Sequence, residues 1–182
     1  SATLTIGTGG SISSSSGVTN YGTLNMSAAG ADATIKSLTS IVTAGSTGAV
    51  SIGSNTLTIS NATGAFYGVI SGTNSTSGAL TISSGTQTLA GANTYGGLTT
   101  INSGATLALS GTGSIAASSG VVDNGTLDIS ATTSGATINA ISGSGAVALG
   151  TKNLSIANAA GNLSGVVGGT GGLNITGGSQ TL

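Results

Sequence analysis

The sequence predicts an all-β chain wound as a right-handed parallel β-helix, and three observations point to it. Short segments alternate large aliphatic with small polar residues, so apolar side chains sit two apart and each strand buries one face. Many of these segments recur at roughly 20 residues or half that spacing, the period of a coil stacked on the next. The chain also repeats on a longer scale, because the pattern of residues 1–38 returns at 104–141 and then resumes, through two short deletions, to the C-terminus. Parallel coils stacked in this way bury a continuous aliphatic column. The rule for parallel crossovers makes the expected hand right-handed.

Along the chain, the first expected strands are Thr3–Ile6, Thr23–Met26, Ala49–Ile52, Thr56–Ile59 and Ala79–Ile82. Each is a four-residue run with aliphatics at its second and fourth positions. The later ones are Thr106–Leu109, Thr126–Ile129, Ala146–Leu149, Asn153–Ile156 and the shorter Leu173–Ile175. Leu57, Ile59, Leu80, Ile82, Leu107, Leu127, Ile129, Leu154 and Ile156 are therefore expected to face one interior. The spacers cluster Gly, Ser, Asn and Thr, which supply turns and positive-φ positions without proline. No segment reads as a helix.

The repeat divides one continuous β-helix, 1–182, into a first sequence copy at 1–103 and a truncated second at 104–182. Gly10–Val18 answers to Gly113–Val121, Gly22–Leu24 to Gly125–Leu127, Gly48–Val50 to Gly145–Val147, and Thr86–Leu89 to Ser179–Leu182. The deletions fall near 39–47 and 74–78, in loop-like stretches where a loss does not flip a strand's buried face. Ser1 enters in mid-pattern and Leu182 stops where its counterpart Leu89 runs on, so the chain is expected to be a piece of something longer.

Other alternating architectures fit less well. A membrane barrel needs strands of roughly 9 to 11 residues and two aromatic girdles, whereas this chain has one Phe and three Tyr. An antiparallel sandwich satisfies the alternation, which does not itself fix pairing direction. A cross-β stack suits the absence of proline, but aligned deletions point to a chain that folds coil by coil.

Composition excludes several function classes. The charged residues are Asp32, Lys36, Asp123, Asp128 and Lys152, for a net charge of -1, so nucleic acid is not an expected partner. The 34 glycines do not signal disorder here, because 37% of the residues are hydrophobic and mean hydropathy is +0.42. With no Trp and no Cys, the core must be thin, aliphatic and free of disulfide staples. No apolar run approaches the ~18 residues of a membrane helix, and no signal-peptide pattern opens the chain.

Ser83–Gly111 carries a resemblance. Its Gly-Thr-Gln-Thr-Leu segment, then Gly91–Tyr95, a Gly-Gly-Leu-Thr-Thr turn and Ile101–Leu107, is similar to the autotransporter-associated β-strand repeat of bacterial autotransporter passenger domains. It departs at Ala90, where Ser is usual, and at Gly96–Leu98, where the first Thr of the turn is missing. Leu89, Leu98 and Ile101 are expected to stay buried, so only turn geometry is affected. Gly68–Gly72 and Gly165–Gly169 also resemble segments that lead into this motif. The resemblance implies a secreted, surface-displayed β-helix on a Gram-negative cell, its parent anchored by an outer-membrane β-barrel, and it implies no single activity.

No catalytic, cofactor or metal-binding residue is expected. His, Cys and Glu are absent, so imidazole bases and the usual zinc ligands are missing. Asp123 and Asp128 could pose as an acid pair for glycoside hydrolysis, but Asn20 and Asn25 replace them in the first copy, so both read as polar sites in a solvated row. Lys36 and Lys152 occupy unrelated places in the repeat and read as surface residues rather than bases for a serine nucleophile. Gly168–Gly172 lacks the aspartate of calcium-binding β-rolls.

The expected function is therefore structural or adhesive: a stalk or filament segment outside the cell, acting in cell adhesion or biofilm matrix. Its expected partners are further copies or repeats stacked end to end, or a host or neighbouring cell surface. One alternative is the inert spine of a passenger whose enzymatic activity lies elsewhere in the parent protein. A lesser one is ice binding through Thr-x-Thr at 3–5, 56–58 and 86–88, weakened because Thr5, Thr56 and Thr58 become Ala108, Asn153 and Ser155 in the second copy.

Overall fold

A computed structural model describes residues 2–41, 47–74 and 76–182. Among them it shows an all-β, parallel solenoid of about 8 turns. In chain order the strands are β1 (Thr3–Thr5), β2 (Val18–Thr19), β3 (Thr23–Asn25), β4 (Ala33–Ile35), β5 (Leu38–Thr39), β6 (Ala49–Gly53), β7 (Thr56–Ile59), β8 (Ala62–Phe66), β9 (Val69–Gly72), β10 (Ala79–Ile82) and β11 (Gly85–Leu89). They continue as β12 (Thr99–Ile101), β13 (Ala105–Gly111), β14 (Val121–Asp123), β15 (Thr126–Thr132), β16 (Ala136–Ile138), β17 (Ile141–Ser142), β18 (Ala146–Gly150), β19 (Leu154–Ile156), β20 (Val167–Gly169) and β21 (Leu173–Ile175). All ten runs read from alternation contain a strand. Every strand pairing is parallel, which excludes the antiparallel sandwich.

The strands stack in three columns. One is the sheet β4-β7-β10-β12-β14-β17. A second is β8-β11-β13-β15-β18-β20, preceded by the pair β2-β5 and joined to it by Ser40 N–H donating to Ala65 O at 2.9 Å. The third begins as β1-β3-β6-β9. Beyond β9 it is carried by Thr94 N–H on Ile70 O at 2.9 Å and by the bridge Ala92–Ser114, and it ends as β16-β19-β21.

Register explains the core. Ile35, Ile59, Ile82 and Ile101 align coil on coil, as do Leu107, Leu127, Val147 and Val167 in the second column. The nine aliphatics expected inside are all 0–1% exposed. Burying each such side chain contributes roughly 1.5–3 kcal/mol. Phe66 and Tyr95 are the largest fully buried side chains. At the edge strand β1, by contrast, Leu4 is exposed.

Two expectations fail here or fall outside the described residues. Leu98 is 41% exposed and its neighbour Thr99 is fully buried. Thr99 sits in register with Leu80 on the inward face, so Leu98 lies just before β12, outside the core. The expected deletion loops overlap residues 42–46 and 75, which lie outside the described residues, as does Ser1.

Corners need glycine. Gly85 has φ +74°, and a Cβ there would run into the Ala62 carbonyl of the coil below. Every left-handed backbone position among the described residues is a glycine, in line with the steric cost of that region for other residues.

Candidate functional site

Much of the buried polar chemistry of this chain is gathered inside the solenoid in and just after Ser83–Gly111. Gln87 belongs to β11 and points inward at a level where β8 offers only Gly64. Its Nε2 donates to Leu38 O at 3.0 Å, Gly64 O at 3.1 Å and Thr88 O at 3.0 Å. Asn93 is nearly saturated: Oδ1 accepts from Ile70 N–H at 2.9 Å, and Nδ2 donates to Gly91 O and Ser114 O, both at 3.0 Å. It replaces ladder bonds where the third column has no strand, as buried backbone groups require.

Tyr95, Thr99 and Ser118 form a buried hydroxyl chain, Oη to Oγ1 at 2.8 Å and Oγ1 to Oγ at 2.9 Å. Its far end sets its direction. Ser118 Oγ donates to the carbonyls of Gly97 and Gly120, at 2.8 and 2.9 Å, which can only accept. Thr99 therefore donates to Ser118, and Tyr95 donates to Thr99. Burial raises the Tyr95 phenol above its ordinary range, against a smaller lowering from Thr99, so it stays a neutral donor.

Asp123 corrects an expectation, because it is fully buried rather than solvated. Its register partner is Ile101, at the end of the inward isoleucine row. Oδ1 accepts from Gly125 N–H at 3.0 Å, closing an Asx turn at the corner, and Oδ2 is buried without a partner. Desolvation raises its pKa to about 6, against lowering by the backbone N–H groups of Gly125 and Leu127. Its counterpart Asn20 is buried too. Asp128 is half-buried on β15, in a different sheet, and caps Ser130 N–H at 2.8 Å. The fold thus separates the two carboxylates onto different faces of the coil, one of them out of solvent, and does not assemble them as an acid pair.

Lys36 is exposed, as expected. Lys152 is half-buried, its Nζ donating to Thr133 O at 3.2 Å. Among the described residues no group of three or more His, Cys, Asp or Glu side chains gathers around a common point.

On the outside, threonines stack one coil apart. Thr34, Thr58, Thr81 and Thr100 form one row in register, and Thr63, Thr86, Thr106 and Thr126 another. A neutral groove of about 480 Å³ opens in the third column where the turn 111–116 faces β16, lined by Ser114, Ser134, Thr137, Asn153 and Ser155 among others. Sequence reading missed both rows because it compared residues one repeat apart, whereas contact is made one coil apart. No protein-family model, curated protein or solved structure matches this chain.

Proposed function

We propose that the chain is a structural and adhesive segment of a secreted, surface-displayed β-solenoid of the kind the autotransporter resemblance implies. The supporting observation is the inward direction of its specific polar groups. Gln87, Asn93, Tyr95, Thr99 and Ser118 spend their hydrogen bonds on the solenoid itself. The outside is mostly hydroxyls and amides with scattered apolar side chains such as Val166, and few charges, the whole chain having a net charge of -1. Such a surface gains little from electrostatic steering and adheres through many weak hydrogen bonds and through edge pairing. Its partners are further coils or copies stacked end to end, and neighbouring or host cell surfaces, with the parent protein held by an outer-membrane barrel. Displaying residues 1–182 on a bacterium that does not clump tests this: settling and cell-to-cell contact support it, and a suspension as stable as the undisplayed control overturns it.

The threonine rows favour a second reading, ordering of water for ice binding, since β-branched hydroxyls repeat at the ~4.8 Å strand spacing. Only these two sheets carry such a row, one each, and the third column has none, which makes this the weaker reading. Thermal hysteresis and ice recrystallisation measurements on the purified chain decide it.

A further inference from the structure

Asn20 and Asp123, counterparts in the sequence repeat, hold corners of similar local geometry, one leading into β3 of the third column and the other into β15 of the second. Gly22 N–H donates to Asn20 Oδ1 at 3.2 Å, as Gly125 N–H donates to Asp123 Oδ1 at 3.0 Å. One coil further on, Ala49 N–H binds Gly22 O at 2.7 Å, and Ala146 N–H binds Gly125 O at 2.9 Å. The second side-chain atom is where the corners part. Asn20 Nδ2 donates to Ala49 O at 2.7 Å and ties the two coils together. The corresponding atom of Asp123, Oδ2, is buried without a hydrogen-bond partner.

A carbonyl oxygen can only accept, so an ionised Asp123 has nothing to offer Ala146 O, whereas a protonated carboxyl reproduces the asparagine bond. We propose that Asp123 carries its proton on Oδ2 in the folded chain and donates it to Ala146 O, forming a joint between coils that closes in acid and loosens as pH rises.

The surroundings contain no cation to hold the ionised form. β12, aligned through Ile101, has only Thr and Ile. β17 and the turn Gly143–Gly145 bring no titratable side chain. β15 contributes Asp128, whose Oδ1 is engaged by Ser130 N–H, and β18 contributes none. Tyr95, in the coil of β12, has its hydroxyl on Thr99. Lys152, just past β18, places its Nζ on Thr133 O. Room for relaxation is small, because a Cβ on Gly145 would strike the Asp123 carboxylate.

The sign follows from the folded pKa lying above the ordinary 3.8, at about 6. The stabilisation is complete below the unfolded value and is lost as pH rises through the folded one. Across that window the unfolding equilibrium constant increases up to about a hundredfold.

The test is thermal and urea unfolding of residues 1–182 from about pH 4 to about pH 8, for the native chain, D123N and N20D. D123N should hold its stability across the window and exceed the native chain at neutral pH, while N20D acquires a second loss with rising pH. A native chain without pH dependence, or a D123N chain less stable at neutral pH, overturns the proposal. Should D123N fail to fold, carboxyl carbon-13 titration of the native chain decides. Asp123 ionising near neutrality supports the joint, and Asp123 ionising in the ordinary carboxylate range refutes it.

Discussion

Gln87 and Gln180 make the same three hydrogen bonds at two levels of the solenoid. Gln180 Nε2 reaches Ile141 O at 3.2 Å, Gly161 O at 3.0 Å and Thr181 O at 3.1 Å, the counterparts of Leu38, Gly64 and Thr88 around Gln87. In both, Oε1 is buried without a partner. Each amide therefore ties together carbonyls of its two preceding coils, and flipping either would set oxygen against three oxygens.

Replacing Gln87 by Leu should cost about 1–3 kcal/mol, because buried carbonyls lose their donor. The same change at Gln180 should cost less, since that side chain is half-buried and water can replace the amide. Urea unfolding of the two variants checks the order. Equal costs would mean that burial does not control the bond.

Inside and outside alternate along β15, so neighbouring residues should respond oppositely. Leu127→Ala should lose about 2–5 kcal/mol through the cavity it leaves. Thr126→Ala, on the outer threonine row, should stay within about 0.5 kcal/mol. Denaturant midpoints of the pair read the face of the strand directly.

The hydroxyl chain predicts an asymmetry set by its direction. Thr99→Val strands the buried Tyr95 hydroxyl and should cost about 1–3 kcal/mol, whereas Tyr95→Phe removes only the first donor and should cost about 0.5–1.5 kcal/mol. Measured stabilities in the reverse order would contradict the assigned direction.

Two glycines with left-handed φ separate backbone strain from collision. Gly111, at φ +57°, has nothing within 4 Å of an added Cβ, so Gly111→Ala should cost only the conformational penalty, about 1–2 kcal/mol. Gly85→Ala adds a clash with the Ala62 carbonyl and should be clearly worse. Thermal midpoints of both variants test the difference.

Alternation made the aliphatic strands readable, because two large apolar residues two apart can be satisfied only by one buried face. β8 escaped, since its inward place is Gly64, filled from the next coil by Gln87. Hydrophobicity misassigned Leu98, because the hydroxyl chain makes its neighbour Thr99 an acceptable core residue in its place. Asp123 looked solvated for the same reason. A carboxyl reads as surface until its register with Ile101 is known. The threonine rows were hidden by comparing copies rather than coils.

Under the proposed function, the hydroxyl-rich and sparsely charged outer surface serves contact with other copies. Sedimentation of residues 1–182 over a wide concentration range, at low and high salt, tests it most directly. The expected result is reversible self-association whose strength changes by less than about twofold with salt, because little charge is present to screen. A chain that stays monomeric at high concentration, or whose association salt abolishes, would contradict it.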